Sequence, residues 1–402
     1  MNKLKARITQ VGPALVLAAV VLGPGSITLN TIAGSLYGYQ LLWVPIVATA
    51  FMIVYSSMSA RVGLLRRQTL FQAARLKYGS RVAQVGGLFA FLTTLAFQAG
   101  NNAGIGFSMN ALLGQDVRLW AGLFFLPAFG LILLPRLYEK LELLVKLVVG
   151  LMIIAFFSTL LIVGVDAGES AAGLLPKLPD QSAFFLALGM VATTFSIVAA
   201  AYQSYLMREK DWGPEHLSTQ GLDTFLGIAI LGAISTVILM TSAQVIHGSA
   251  EPVFSAQAMA LQLEPLVGSG AFFLFTAGFF FASLSSLVVN PLIGATLLVD
   301  AFGGDPSMNS FMVKLWTGVA MAAGLLVVLV FGGSPIELLR VAQALAVVAF
   351  PLLGFLLLSI AGDRKLMGKA ANSTFSNVVG VLGYITLLGI VLNYIRQILG
   401  EP

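Results

Sequence analysis

The chain alternates between long apolar runs and short polar segments along its whole length. Eleven of the runs are long enough to cross a hydrocarbon core about 30 Å thick, which takes about 20 helical residues. They fall near residues 12–34, 41–62, 83–110, 118–135, 141–165, 183–207, 220–246, 268–299, 311–331, 336–360 and 376–396. The polar segments between them are too short for a further domain. The pattern therefore predicts an all-α integral membrane protein with a single transmembrane domain over residues 1–402.

Composition and charge placement support this assignment and predict an orientation. Hydrophobic residues make up 58% of the chain and charged residues 10%, whereas soluble domains carry about 25% charged residues. With the N-terminus inside, 18 of the 22 Lys and Arg residues fall on the cytoplasmic side, and only Arg118, Lys177, Arg340 and Arg396 fall outside. This positive-inside bias predicts a multi-pass protein of the cell (inner) membrane, with a cytoplasmic N-terminus and an external C-terminus. The net charge of +5 then needs no nucleic-acid partner.

The first span contains Gly23-Pro24-Gly25-Ser26 near its middle. Proline has no amide donor and both glycines weaken a helix, so the helix is interrupted or kinked here. A simple kink needs nothing else, but an unwound segment at mid-membrane is tolerated only where it lines a cavity enclosed by protein. The sequence by itself leaves both interpretations open.

Polar residues form stripes on two other spans. Gln98, Asn101 and Asn102 lie along about one face of span three, and Ser286 and Asn290 lie on one side of span eight. Such stripes either join helices through hydrogen bonds or line a cavity, and both interpretations stay open.

Single glutamines also occur inside two spans, Gln203 in span six and Gln343 in span ten. A lone intramembrane glutamine is more often a packing hydrogen bond than a ligand. Acidic residues and histidine are absent from the middle of every predicted span. The chain has no Cys and shows no nucleophile–base pair, phosphate loop or metal triad, so we predict neither an enzyme nor a cofactor.

Several segments resemble the natural resistance-associated macrophage protein (Nramp) family of divalent-metal transporters. The resemblance is carried by residues 34–43, which read Gly-Ser-Leu-Tyr-Gly-Tyr-Gln-Leu-Leu-Trp, by Ser59-Ala60-Arg61-Val62-Gly63, by Leu284-Ser285-Ser286, and by Gln343 with Phe350-Pro351. It implies a leucine-transporter (LeuT)-type fold, in which two inverted five-helix repeats pair a broken helix one with a broken helix six. The repeats are expected near 12–165 and 183–360, with an eleventh helix at 376–396. The resemblance places the helix-six break near Ile197–Ala201.

The family's functional residues are largely replaced in this chain. Its helix-one sequence Asp-Pro-Gly-Asn appears as residues 23–26, Gly-Pro-Gly-Ser, and its helix-six Met-Pro-His falls on Ile197-Val198-Ala199. The acidic residues associated with proton transfer in helix three fall on Gln98 and Asn101, which do not titrate. The resemblance therefore implies weak transition-metal binding and no proton relay through side chains.

We predict a substrate site where the two broken helices meet, with no resident metal. Its candidate residues are Gly23, Pro24, Gly25, Ser26, Gln98, Asn101, Asn102, Ala199, Ala200, Gln203, Ser286, Asn290 and Gln343.

Three functions remain open for this site. A small anion or zwitterion, such as bicarbonate, a small carboxylate or an amino acid, is favoured because helix N-termini attract negative groups. The alternative is a divalent-cation transporter for Mg²⁺ or Mn²⁺, and the second alternative is a receptor or structural membrane protein that does not transport. A monomer is the favoured state, with an ion or small solute and the lipid bilayer as partners.

Overall fold

A computed structural model describes residues 12–248, 258, 260, 268–332 and 349–399, and every regular element within them is a helix. The first repeat region contains α1 (Pro13–Val21), α2 (Pro24–Tyr37), α3 (Trp43–Arg66), α4 (Leu70–Tyr78), α5 (Ser80–Leu113), α6 (Val117–Leu133), α7 (Leu137–Val163) and α8 (Ala167–Ala172). The second region contains α9 (Gln181–Thr194), α10 (Ile197–Glu209), α11 (Leu217–Ile246), α12 (Ser269–Ala301), α13 (Phe311–Phe331) and α14 (Ala349–Ala361). The short helix α15 (Arg364–Met367) leads to the final helix α16 (Thr374–Leu399).

Within the described residues, each predicted span coincides with a helix or with a broken pair of helices. In the described part of the chain, eight spans are long and apolar enough to cross a membrane when α9 and α10 are counted as one, and α1 with α2 form a ninth, bent span. The apolar helices α6 and α14 are shorter and occupy the positions of spans four and ten. Part of span ten, including Gln343, lies outside the described residues.

Span one is broken between α1 and α2, whose axes differ by 58°. Because Pro24 has no N–H, the Val20 carbonyl loses its normal helical donor. Ser286 Oγ donates to Val20 O over 3.1 Å, and Ser285 Oγ donates to Ala19 O over 2.8 Å. Two serines of α12 thus satisfy carbonyls that lipid would leave unbonded. The predicted interruption is confirmed; it lies at residues 22–23, while residues 24–26 form the first turn of α2.

Span six is also broken, but the predicted position of the break is wrong. The interruption lies at Phe195 and Ser196, and Ile197–Ala201 form the first turns of α10. Alanine is the strongest helix former, so the run of three alanines continues the helix. Serine is a preferred N-cap residue, and Ser196 Oγ accepts from Ala199 N over 3.4 Å.

Small residues let α5 and α12 approach closely beside the first break. A Cβ on Gly294 of α12 would overlap Thr94 of α5, and a Cβ on Gly104 of α5 would lie 2.5 Å from Pro24 Cγ. Close backbone approach of this kind is typical of membrane helix pairs. The contacts hold the breakpoint of span one against the two helices that carry the polar stripes.

Two acidic residues at the predicted cytoplasmic end form bonds that hold neighbouring elements together. Asp223 of α11 is fully buried, and its carboxylate accepts from Gly12 N (2.8 Å) and Ala14 N (3.0 Å), which caps the start of α1. Glu142 of α7 accepts from Lys146 Nζ and Lys210 Nζ, each over 2.7 Å. In the described chain, the acids of the spanning helices lie within their first or last two turns, as the sequence predicted.

We expect Asp223→Ala to destabilise the protein, because the first amides of α1 lose their acceptor. Loss of a helix N-cap costs about 0.5–2 kcal/mol, so the thermal unfolding midpoint in detergent should fall. Asp223→Asn keeps one acceptor oxygen, so its unfolding midpoint should fall less. Glu169→Ala, on the exposed helix α8, serves as the control and should leave the midpoint unchanged. An Asp223→Ala protein as stable as the wild type would show that this cap contributes nothing.

Candidate functional site

A small cavity lies where the two breaks face each other. Its volume is about 60 Å³, which is large enough to hold water. Six predicted site residues line it, namely Gly23, Gly25, Ser26, Asn101, Ala199 and Asn290. The remaining lining residues are Val20, Val21, Thr93, Thr94, Phe97, Ala192, Thr193, Ser196, Val198, Ile293 and Phe350. The described lining is neutral and mixes hydroxyl, amide and apolar groups.

A second proline determines how the amides beside this cavity are oriented. Pro291 lies inside α12 and supplies no N–H to the Leu287 carbonyl four residues earlier. Gln98 of α5 is fully buried, and its Nε2 donates to Leu287 O over 2.8 Å. This bond turns the Gln98 Oε1 toward two asparagines, because the amide oxygen and nitrogen lie on opposite sides of the group. Gln98 does not line the cavity, but it determines how the amides of Asn101 and Asn290 are oriented there.

The two asparagines use their N–H₂ groups inside the protein. Asn101 Nδ2 donates to Gln98 Oε1 (3.1 Å) and Ser286 O (3.2 Å). Asn290 Nδ2 donates to Gln98 Oε1 (3.1 Å) and Thr94 O (2.6 Å). Each amide nitrogen has two hydrogens, so both donors of each asparagine are occupied.

The Oδ1 atoms of Asn101 and Asn290 are left as free acceptors at the cavity. Within the described residues neither oxygen accepts a hydrogen bond, although both side chains line the cavity. A Cβ placed on Gly23 would lie 3.4 Å from Asn101 Oδ1, which places this oxygen beside the breakpoint of span one. The network therefore presents amide oxygens, rather than amide hydrogens, to whatever occupies the cavity.

The backbone contributes partial positive charge, opposite to the partial negative charge of the amide oxygens. The helices α2 and α10 both begin at the cavity, and helix N-termini carry partial positive charge. The last carbonyls of α1 are bonded by Ser285 and Ser286 and are less available as ligands. The cavity therefore offers two kinds of polar group, side-chain oxygens and the partial positive charge of two helix N-termini.

The other predicted site residues lie away from the cavity lining. Pro24 packs against Gly104, and Ser286 is bonded to the carbonyls of α1. Asn102 Nδ2 donates to Gln98 O over 2.9 Å. A Cβ added to Gly324 of α13 would lie 3.0 Å from the same nitrogen, so the Asn102 side chain faces α13.

Two more of these residues lie on α10. Ala200 and Gln203 are fully buried there. Gln343 lies outside the described residues.

Four hydroxyl residues of the lining were missed as site residues, namely Thr93, Thr94, Thr193 and Ser196. Thr94 precedes Gln98 by four residues, so helical spacing placed it on the predicted polar stripe of span three. Ser196 was missed because the break of span six was expected further along the chain. In the described part of the chain, no three His, Cys, Asp or Glu residues form a group that could hold a metal ion.

Comparison with known proteins decides the family. The sequence matches the model of the Nramp family, described as natural resistance-associated macrophage protein-like, over residues 14–397. The chain belongs to the Nramp family. Similar Nramp relatives include the divalent metal cation transporters MntH of Aeromonas hydrophila and Acidiphilium cryptum. The first is 26% identical and the alignment covers 96% of this chain and 95% of the relative, while the second is 28% identical with 97% and 90% covered.

Solved structures support the fold of this Nramp protein. The Eremococcus coleocola manganese transporter, in complex with an aromatic bis-isothiourea substituted compound, matches with a TM-score of 0.85 at 18% identity, covering 99% of this chain and 89% of that one. MhsT in complex with L-phenylalanine matches with a TM-score of 0.58 at 16% identity, covering 96% and 98%. The predicted LeuT-type fold is confirmed, and the chain is a multi-pass membrane transporter.

We expect Gln98→Met to destabilise the protein although the two side chains are of similar size. The change leaves the Leu287 carbonyl without a donor and releases both asparagines, and an unsatisfied buried group costs about 1–3 kcal/mol. The measurement is the thermal unfolding midpoint in detergent. Asn102→Leu is the matched control, because Asn102 bonds a carbonyl inside a regular helix and its loss should cost less. Equal midpoints for the two variants would contradict a special role for Gln98.

Proposed function

We propose that this protein moves a divalent metal cation across the membrane by alternating access. This is the alternative weighed from the sequence, and it is now preferred to the small anion or zwitterion. The observation that carries it is the pair of free Oδ1 atoms of Asn101 and Asn290 at the cavity. The MntH relatives are divalent metal cation transporters and cover nearly the whole chain, which supports the same substrate class.

The chemistry of the lining favours a hard cation that keeps part of its water. Mg²⁺ and Mn²⁺ prefer oxygen ligands, and Mg²⁺ usually retains several waters when proteins bind it. Amide oxygens of Asn101 and Asn290 and the hydroxyl of Ser26 provide neutral oxygen ligands. No carboxylate from the described residues lines the cavity to balance the ion's charge, so we propose weak binding and a preference for partly hydrated ions.

A small anion is less well supported by the same groups. The N-termini of α2 and α10 attract negative charge, but no Lys, Arg or His from the described residues lines the cavity. The side-chain amide hydrogens of Asn101 and Asn290, which could bind an anion, are already donated to protein oxygens. The receptor or structural alternative has no specific observation in its favour.

We further propose that the protein lies in the cell (inner) membrane with its N-terminus cytoplasmic and its C-terminus external, as the charge bias predicts. We propose that the chain forms one transport domain, with repeats near 12–165 and 183–360 and an extra helix near 376–396. A monomer is the proposed state.

Uptake into proteoliposomes should show Mn²⁺ or Mg²⁺ transport and none of bicarbonate or amino acids. Half-saturation is expected well above micromolar metal, because the ligands are neutral. Gly23→Asp adds a carboxylate beside Asn101 and should lower the half-saturating metal concentration. The new Cβ would lie 3.0 Å from Ser286 Oγ, so this hydroxyl must shift slightly. Uptake of an anion or amino acid in the absence of metal transport would reject the proposal.

Transport is expected not to be coupled to protons through side chains. Gln98 and Asn101 do not titrate, whereas a proton relay needs a group that gains and loses a proton at working pH. A pH-sensitive dye inside proteoliposomes should report no metal-dependent acidification beyond the membrane leak. Acidification that follows the metal flux would contradict this expectation, and Glu142, Glu209 and Asp223 would be the next residues to replace.

A further inference from the structure

Two buried amides lie one helical turn from the cavity on the two helices that begin there. Asn30 follows Ser26 by four residues in α2, and Gln203 follows Ala199 by four residues in α10. Residues four apart share one face of a helix. Ser26 and Ala199 line the cavity, so Asn30 and Gln203 continue its wall by about 6 Å along each helix.

These two positions correspond to each other in the fold. Asn30 is the seventh residue of α2, and Gln203 is the seventh residue of α10. In a LeuT-type fold the two broken helices are related by the inverted repeat, so the helices run from the centre toward opposite sides of the membrane. In the proposed orientation, Asn30 lies on the external side of the cavity and Gln203 on the cytoplasmic side.

Both amides have hydrogen-bonding groups that the protein does not use. The two side chains are fully buried. Asn30 Nδ2 donates to Ser26 O over 2.7 Å, which leaves Oδ1 unbonded, and neither Oε1 nor Nε2 of Gln203 has a partner among the described residues. Buried polar groups are almost always bonded, and an unpaired one costs free energy. Partners supplied in another state of the transport cycle would explain why these amides are present.

We propose that Asn30 and Gln203 are flanking ligand positions that hold the divalent cation through their amide oxygens, Asn30 before it reaches the central cavity and Gln203 after it leaves. The proposal rests on the proposed function. Each oxygen is a neutral, hard ligand of the kind found at the centre, so the ion passes between similar sites. Weak neighbouring sites suit transport, because an ion must leave each site as readily as it enters.

The test compares cation entry from the two sides of the membrane. The variants Asn30→Leu and Gln203→Met replace each amide by an apolar side chain of similar size. Mn²⁺ flux is measured in right-side-out and inside-out membrane vesicles. Asn30→Leu should raise the KM from the external side about tenfold, equivalent to about 1.4 kcal/mol, and leave the cytoplasmic KM within about twofold. Gln203→Met should do the reverse.

Asn102→Leu is the matched control, because Asn102 also has an unbonded buried Oδ1 but faces α13. It should leave both KM values unchanged. Gln203→Met should not lower the thermal unfolding midpoint, since an apolar group replaces an unpaired polar one. Asn30→Leu should lower it no more than Asn102→Leu does, because each variant loses one bond to a carbonyl inside a regular helix. If either variant fails to fold, Asn30→Asp and Gln203→Glu provide the second test, and each should lower the KM on its own side by adding negative charge.

The possible results separate this inference from the proposed function. Wild-type vesicles that transport neither Mn²⁺ nor Mg²⁺ would reject the proposed function and the flanking ligands with it. Wild-type transport with KM values that the variants leave unchanged on both sides would reject the flanking ligands alone. Side-specific changes in KM support the inference.

Discussion

The structure depends on one constraint, namely that a backbone carbonyl within the membrane needs a hydrogen-bond donor. Pro24 and Pro291 each remove the donor that the carbonyl four residues earlier would have used. Ser286 supplies a hydroxyl to Val20, and Gln98 supplies an amide to Leu287. The two bonds connect span one to span eight and span eight to span three. The two helices that carry the polar stripes, α5 and α12, are therefore held together beside the break in span one.

The same constraint orients the site. Once Gln98 donates to Leu287, its oxygen faces Asn101 and Asn290, and their nitrogens are occupied. The free oxygens at the cavity are thus a consequence of how the second proline is accommodated. An amide held at both ends has little freedom to turn its nitrogen toward a ligand, so the two asparagines present acceptor oxygens to a cavity whose described lining carries no charge.

Replacement of the family's charged and sulfur ligands leaves the LeuT-type architecture intact, and we propose that it lowers the affinity for metal. Gly23 and Ser26 keep the helix break, because Pro24 lies between them, but they provide no carboxylate. Neutral oxygens bind a divalent cation less tightly than carboxylates do. Weak binding is compatible with transport, provided that similar ligands receive the ion on both sides. Buried acids remain at the helix ends, where Asp223 caps α1 and Glu142 pairs with Lys146 and Lys210 instead of lining the cavity.

The sequence by itself determined the spans, the family and the place where span one is interrupted or kinked, because hydropathy, proline and motif order act locally along the chain. It also placed Asn101 and Asn290 on inward stripes through helical spacing. Only the tertiary structure decided which polar residues face the cavity. Asn102 lies next to Asn101 in the sequence but faces α13, and Gln98 lies behind the wall, because the packing of α5 against α12 and α13 determines which face meets the break. The break in span six was misplaced since the alanines continue the helix and Ser196 caps it. The orientation of the amides also required the fold, because it follows from bonds between residues nearly 190 positions apart.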